Sequence, residues 1–205
     1  FSYIYIYIYI YMDNYIGVIK ILLIGTINAG KTSVVNRFIT NNYNTEYNYT
    51  IGLEFNSKIL NINNKNIKLL IWDSSGQFRF FPILSNYYRN INVVFYVFDI
   101  NDLESFNQTI EWIEKTINNI EDCVDKYLIA TKSDLKSNIK SELINDICYK
   151  YKLQYYECSA KSGNNVLDIF ESITLKQIES NKIKKPLVLQ IENNNNLYCS
   201  KCTIQ

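Results

Sequence analysis

Histidine is absent from this chain of 205 residues. It is the side chain whose charge changes most readily near neutral pH, and it is the commonest metal ligand in proteins. Its absence excludes histidine general bases, Ser-His triads and histidine metal sites. Any chemistry must therefore rest on carboxylates, amides, hydroxyls, lysines or a borrowed metal ion.

Cysteine is scarce and irregularly spaced. The five cysteines form an odd set without a regular pattern, which is a poor framework for disulfides and favours a reducing compartment. Cys199 and Cys202 form one C-x-x-C pair, but the second pair that a zinc site of this type needs is missing.

An excess of charge of either sign is also missing. Lys and Arg together number 21 against 20 Asp and Glu, so the formal net charge is +1. Such a balance draws the chain neither to nucleic acid nor to an anionic membrane. No basic stripe interleaved with base-stacking aromatics is present, and we expect no nucleic-acid partner.

The two ends of the chain differ in composition from its middle. Residues 1–11 consist mainly of Tyr-Ile pairs, lack the features of a signal peptide and are too short to span a bilayer. A TA dinucleotide repeat would encode such pairs, so we interpret this segment as a gene-model artefact and expect the native chain to begin at Met12. We expect one domain over residues 12–180 and a flexible, Lys- and Asn-rich tail over 181–205.

Apolar runs alternate with helical patterns between these ends. Continuous apolar strands separated by helices indicate an α/β fold with a mostly parallel sheet and helices on both faces. The predicted strands are residues 18–25, 54–62, 66–73, 92–100, 126–134 and 153–160. The predicted helices are residues 31–40, 104–120, 140–152 and 164–180.

The segment GTINAGKT, residues 25–32, fits the pattern G-x4-G-K-[ST] between a predicted strand and a predicted helix. In this context backbone N–H groups of the loop and of the helix start bind phosphate, and the lysine neutralises phosphate oxygens. The hydroxyl of the final threonine is offered to Mg²⁺. The predicted phosphate-binding residues are Gly25, Asn28, Ala29, Gly30, Lys31, Thr32 and Ser33.

The segment WDSSGQ, residues 72–77, ends a second predicted strand. Asp73 at a strand's carboxyl end suits Mg²⁺ through a water, and Gly76 allows its N–H to approach a γ-phosphate. Gln77 is the candidate catalytic residue, because its amide can orient the attacking water.

Two shorter segments at strand ends are suited to a purine base. In TKSD, residues 131–134, the Asp134 carboxylate can accept from guanine N1 and N2, a donor pair that adenine lacks, and the stem of Lys132 can cover the base. In SAK, residues 159–161, the Ala160 N–H can reach guanine O6. Carboxyl ends of strands are where open α/β sheets bind ligands. The predicted base-binding residues are Thr131, Lys132, Asp134, Ser159, Ala160 and Lys161.

With these motifs the chain resembles a small GTPase of the Ras superfamily, specifically a Rab, over residues 16–180. TIGLEF, KLLIW, RFFPIL, YYRNI and VFDIN carry the likeness to Rab proteins. It implies a P-loop NTPase of the small-GTPase fold, with six strands, one antiparallel, and five helices. It also implies GTP and GDP as ligands with Mg²⁺, GTP hydrolysis and a switch in vesicle-mediated intracellular transport. By the same likeness Thr50 ligates Mg²⁺ and Tyr43 stacks on the edge of the base.

Several positions depart from the family pattern. Ile27 replaces a small residue beside the γ-phosphate, Asn28 replaces a glycine, and Phe78 replaces the glutamate after the catalytic glutamine. Thr131 replaces an asparagine that bonds the base and braces the phosphate loop, which predicts weaker guanine affinity with GTP-over-ATP selectivity kept. Because Ile27 is expected to crowd Gln77, we expect slow hydrolysis, both intrinsic and GAP-stimulated. The alternative is an ordinary rate with a repacked switch II, in which Phe78 is buried.

Three alternatives follow for the function. The first is a GTP-hydrolysing Rab-like switch, which the retained Gln77 favours. The second is a hydrolysis-deficient, GTP-bound scaffold for effectors, which Ile27, Asn28 and Phe78 favour. The third is another P-loop enzyme such as a kinase, and the TKSD motif argues against this alternative.

The last four residues, CTIQ, fit the prenylation pattern C-a-a-X, with Cys202 as the acceptor and Cys199 as a candidate for a second lipid. A single chain gives only marginal attachment to a membrane. The resemblance further implies effectors bound through the switch regions, an exchange factor (GEF), a GTPase-activating protein (GAP) and a prenyl-binding escort. It places the protein on the cytoplasmic face of intracellular membranes, in exchange with the cytosol.

Overall fold

The computed structural model describes residues 15–44, 50–88 and 90–183. The predicted N-terminal extension, the predicted start at Met12 and the lipidation cysteines Cys199 and Cys202 lie outside the described residues. Among the described residues, none of the helices combines the length and apolar character needed to cross a membrane.

The described residues form one six-stranded sheet with the order β2-β3-β1-β4-β5-β6. β2 and β3 pair antiparallel as a hairpin, and every other pair is parallel, as predicted. The strands are β1 (Gly17–Gly25), β2 (Leu53–Ile62), β3 (Lys65–Ser74), β4 (Val93–Asp99), β5 (Asp125–Thr131) and β6 (Gln154–Glu157).

Helices cover both faces of this sheet. The described part of the chain has four helices of ten residues or more and one single-turn helix, so the expected number of five is reached only when that turn is counted. The helices are α1 (Lys31–Thr40), α2 (Phe81–Leu84), α3 (Leu103–Thr116), α4 (Ser141–Tyr151) and α5 (Val166–Glu179). Short 3₁₀ segments lie at Phe78–Phe80, Ser85–Tyr87 and Ile117–Asn119.

The sheet separates two hydrophobic clusters because successive side chains of a strand point to opposite faces. Along β1, Ile21 and Leu23 belong to one cluster, whereas Leu22 and Ile24 belong to the other. The first cluster contains side chains from α1 and α5, and the second contains side chains from α3 and α4. This packing fixes the positions of the helices that begin beside the carboxyl ends of the strands.

Three predicted elements, two strands and one helix, extend further than the structure shows. The strand predicted to reach residue 134 ends at Thr131, because Lys132 has a left-handed backbone with φ of 58°. The strand predicted to reach residue 160 ends at Glu157. The helix predicted to reach residue 120 ends at Thr116 and continues as a 3₁₀ turn. The two shortened strands place TKSD and SAK in the loops just beyond β5 and β6.

Candidate functional site

The loop between β1 and α1 has the backbone of a phosphate cradle. Asn28 and Gly30 both have left-handed φ angles, of 62° and 85°. Asparagine tolerates this conformation better than most residues, which explains how Asn28 replaces a glycine without breaking the loop. Gly25 is needed for a different reason, since a Cβ there would lie 2.1 Å from the carbonyl oxygen of Val97 in β4.

Lys31 lies under this loop and is only 4% exposed. Its Nζ donates to the carbonyl oxygens of Gly25 at 3.0 Å and Thr26 at 2.6 Å. Burial lowers the pKa of Lys31 to about 8, although the nearby Asp73 raises it. The ammonium group is thus held inside the loop, where an anion would restore its charge balance.

Three oxygen-bearing side chains meet beside the start of α1. Thr32 Oγ1 donates to Asp73 Oδ2 at 2.5 Å and lies 2.8 Å from Thr50 Oγ1. Asp73 is 1% exposed, and burial raises its pKa to about 6. Its second oxygen, Oδ1, has no hydrogen-bond partner among the described residues. Two hydroxyls and an unsatisfied buried carboxylate oxygen are hard ligands that fit Mg²⁺.

The backbone after β3 packs against the phosphate loop. A Cβ on Gly76 would lie 2.5 Å from the carbonyl carbon of Thr26, so only glycine permits this approach. Gln77 follows Gly76 directly and lines the same small pocket as Thr32 and Thr50. The residues lining this pocket are Asn28, Gly30, Lys31, Thr32, Ser33, Thr50, Ser74, Ser75 and Gln77.

Phe78, one of the departures from the family pattern, is 37% exposed and stacks on Trp112 of α3. The ring centroids are 4.3 Å apart with an interplanar angle of 12°. Lys115 Nζ lies 4.1 Å from the centroid of the Phe78 ring. The side chain thus has a docked position on α3 and remains partly exposed. Ile27 is 41% exposed, and its predicted crowding of Gln77 stays a prediction.

A second pocket, adjoining the phosphate loop, brings together residues from three of the sequence motifs. It contains the phosphate-loop residue Gly30, the TKSD residues Lys132 and Asp134, and the SAK residue Ala160. The residues lining it are Gly30, Ser33, Tyr43, Thr131, Lys132, Asp134, Leu135, Ala160 and Lys161.

Hydrogen bonds orient the acidic and basic side chains of this second pocket. Ser159 Oγ donates to Asp134 Oδ1 at 2.5 Å, which fixes the carboxylate. Lys132 Nζ contacts Asp99 Oδ2 at 2.5 Å, so its aliphatic stem is held along the pocket. Asp99 was not among the predicted site residues, although it lies at the end of β4 within the Rab-like stretch VFDIN.

The prediction that Thr131 loses the brace on the phosphate loop is wrong. Thr131 Oγ1 donates to the carbonyl oxygen of Ala29 at 2.6 Å and also approaches that of Phe98 at 3.0 Å. The threonine hydroxyl at the end of β5 thus reaches the phosphate loop, as the asparagine amide of the family pattern was expected to do. The predicted loss of a contact to the base stays a prediction.

Arg37, in the last turn of α1, was also not among the predicted site residues. Its guanidinium donates to the carbonyl oxygens of Ala160 and Lys161, both at 2.6 Å. The available sequence signal is the rarity of arginine, since Arg37 is one of only three arginines among the 21 basic residues. That signal is weak. Its partners lie more than 120 residues away in the sequence, so no local pattern indicates them.

Comparisons with known proteins show the family to which this chain is similar. The family model described as the Ras family matches residues 20–179. The chain is 35% identical over 161 residues to Ras-related protein Rab-13 of Rattus norvegicus, covering 78% of this chain and 79% of the relative. It is 34% identical over 163 residues to Ras-related protein RABE1e of Arabidopsis thaliana, covering 78% and 75%. It is 33% identical over 163 residues to GTP-binding protein YPT53 of Saccharomyces cerevisiae, covering 76% and 74%.

Proposed function

Because the chain belongs to the Ras family and is a Rab-like small GTPase, we propose that GTP or GDP binds across its two adjoining pockets. The phosphates lie on the 25–32 loop, and the base lies between Lys132, Asp134 and Ala160. The observation that carries this proposal is the single pocket in which residues of the phosphate loop, TKSD and SAK meet. A molecule with a purine at one end and phosphates at the other spans both pockets.

The biological role is that of a Rab-like GTPase that regulates vesicle transport. Nothing in the structure or the comparisons favours the hydrolysis-deficient scaffold. For turnover we propose Gln77 as the catalytic residue, because it lies beside the pocket that holds Thr32 and Thr50. Its amide would orient a water for attack on the γ-phosphate.

Ras-family GTPases generally bind their nucleotide with Mg²⁺. We place the ion beside Thr32 and Thr50, with Asp73 contacting it through a water. When bound, Mg²⁺ neutralises charge on the phosphate oxygens. The support is the convergence of two hydroxyls and the buried Asp73 Oδ1, which has no hydrogen-bond partner in the described part of the chain.

Rab-family proteins act with effectors, GEFs and GAPs, on intracellular membranes in vesicle traffic. We propose that the effectors of this chain bind the segments around Thr50 and Gln77, whose positions a γ-phosphate would set. We further propose one domain over residues 12–180, followed by a tail that is lipidated at Cys202 and Cys199. A prenyl-binding escort would carry this tail, and the protein would reside on the cytoplasmic face of intracellular membranes. Mass spectrometry of the C-terminal peptide from the native protein tests the lipid: an unmodified peptide contradicts it.

The nucleotide proposal is tested by measuring bound nucleotide and turnover. We expect purified protein to contain GDP, to bind GTP over ATP and to hydrolyse GTP faster with a broad-specificity Rab GAP. Retained GTP would instead indicate the scaffold. Asp134→Asn should shift preference from GTP toward XTP, because an amide donates to the xanthine C2 carbonyl where a carboxylate cannot. Asp146→Asn, an exposed acid on α4, is the matched control and should leave preference unchanged.

A further inference from the structure

We infer that Arg37 is a positioning residue for guanine recognition, which it supports by fixing the backbone of the SAK loop. This inference rests on the proposed function, since it concerns the same base pocket. Arg37 lies in the last turn of α1, and its side chain is half-buried. It makes three hydrogen bonds through three different nitrogens, each to a backbone carbonyl.

Two of these bonds hold successive residues of SAK. Nε donates to the Ala160 carbonyl and one terminal nitrogen to the Lys161 carbonyl, each at 2.6 Å. The guanidinium is planar and its donors have fixed directions, so two adjacent donors define the position of both carbonyls together. A lysine is a point charge on a flexible stem and cannot impose this geometry.

The Ala160 N–H is the group proposed to contact guanine O6. It belongs to the peptide between Ser159 and Ala160, whose carbonyl accepts from the Gly163 N–H at 2.8 Å. The next peptide, between Ala160 and Lys161, has its carbonyl held by Arg37. Ala160 is therefore held on both sides, and removing Arg37 releases one of them.

Gly163 marks the path of the arginine side chain. A Cβ built on Gly163 would lie 3.8 Å from the guanidinium carbon of Arg37, so the group passes against the backbone of the same loop. The third bond, to the Asn41 carbonyl at 2.7 Å, holds the arginine at the end of its own helix. The guanidinium is thus fixed between α1 and the loop after β6.

The helix that carries Arg37 begins at the phosphate loop. Lys31 and Arg37 are six positions apart, about 9 Å along a helix axis at about 1.5 Å per residue. One rigid element therefore holds the phosphates at its start and the base loop at its end. A single nucleotide must contact both the phosphate loop and the SAK loop. The distance between these two loops, which Arg37 helps to set, therefore affects the hydrogen bond between guanine O6 and the Ala160 N–H.

The test compares three nucleotides on the full-length protein, by equilibrium binding with Mg²⁺ present. GDP offers O6, 6-thio-GDP replaces that oxygen with a weak acceptor, and IDP keeps O6 but lacks the 2-amino group. For Arg37→Ala we expect the affinity ratio of GDP to 6-thio-GDP to fall about tenfold, which corresponds to roughly one hydrogen bond's discrimination. The ratio of GDP to IDP should stay unchanged, because Asp134 is still held by Ser159.

A merely structural role for Arg37 would weaken all three nucleotides equally, and unchanged ratios therefore overturn the inference. Arg37→Lys is the second variant, which keeps the charge and should give an intermediate ratio. Asn36→Ala, on the exposed side of the same helix turn, should leave every ratio at the wild-type value. A wild-type protein without guanine preference would refute the proposed function itself, whereas normal wild-type preference with unchanged variant ratios refutes only the role of Arg37.

Discussion

The Thr131 hydroxyl donates a hydrogen bond to the carbonyl oxygen of Ala29 across 2.6 Å, joining the end of β5 to the phosphate loop. Both groups are buried, since Thr131 is 1% exposed and Ala29 is fully covered. Thr131 Oγ1 also lies 3.1 Å from the position that a Cβ on Gly30 would take. The residue thus supports the loop through a hydrogen bond and leaves little room for a side chain at Gly30.

Thr131→Ala should therefore weaken nucleotide binding. The Ala29 carbonyl would lose its partner in a buried place, which costs about 1–3 kcal/mol. We expect faster dissociation of a fluorescent GDP analogue and a lower melting temperature. Thr131→Ser keeps the hydroxyl and serves as the matched control, with dissociation near the wild-type rate. Equal rates for the alanine and serine variants would show that the hydrogen bond contributes nothing.

Phe78→Ala should loosen the segment that follows Gln77. The variant loses the stack on Trp112 and the contact with Lys115, and an aromatic pair contributes about 0.5–1.5 kcal/mol beyond its buried area. We expect a free energy of unfolding lower by about 1–2 kcal/mol, because the ring is partly exposed and a fully buried phenylalanine would cost more. Urea unfolding followed by tryptophan fluorescence measures this change.

Phe78→Tyr is the conservative control, since it keeps the ring of a side chain that is 37% exposed and adds only a hydroxyl. Its unfolding midpoint and its tryptophan emission should match those of the wild type. If the alanine variant also matches the wild type in both, the stack on Trp112 has no energetic role.

The fold and the outline of the site follow from sequence patterns that are local. The predicted strands that carry Gly25, Asp73 and Asp134 at their carboxyl ends are each marked by a continuous apolar run followed by polar residues. Parallel strands put their carboxyl ends at one edge, so motifs at those ends converge without further information. The convergence predicts that Lys31, Asp73 and Asp134 lie in one region.

The remaining features depend on contacts between distant residues. The Ala29 partner of Thr131 is 102 residues away, and the Ala160 partner of Arg37 is 123 residues away. Nothing in the neighbourhood of either residue encodes such a partner. The single-turn helix at Phe81–Leu84 was missed because one turn is too short to show a helical period.

Ile27→Gly tests whether the phosphate loop of this chain slows hydrolysis by crowding Gln77. If it does, removing the side chain should raise the single-turnover rate of GTP hydrolysis roughly tenfold, which corresponds to about 1.4 kcal/mol of relieved barrier. Ile27→Val keeps the β-branch and should retain the slow rate. No acceleration in the glycine variant would refute the crowding argument and leave Phe78 as the remaining departure beside Gln77.

Asp73→Asn tests the Mg²⁺ site through nucleotide release, which needs no hydrolysis. In the wild type, chelation of Mg²⁺ by EDTA should speed GDP release at least about tenfold, because the ion neutralises phosphate charge that the loop alone must otherwise hold. In Asp73→Asn the neutral amide holds the ion and its water less strongly, so release should already be fast with Mg²⁺ present and EDTA should add little. Thr32 should still reach its neighbour Thr50 in this variant.

Glu54→Gln provides the matched control for that experiment. Glu54 is exposed, yet its charge is close enough to raise the pKa of Asp73, so the substitution removes a nearby carboxylate without touching the three converging oxygens. It should keep the full response to EDTA. A response that vanishes equally in Glu54→Gln would mean that summed negative charge near the loop holds the ion. A response that persists in Asp73→Asn would remove Asp73 from the site and leave the threonine hydroxyls as its protein ligands.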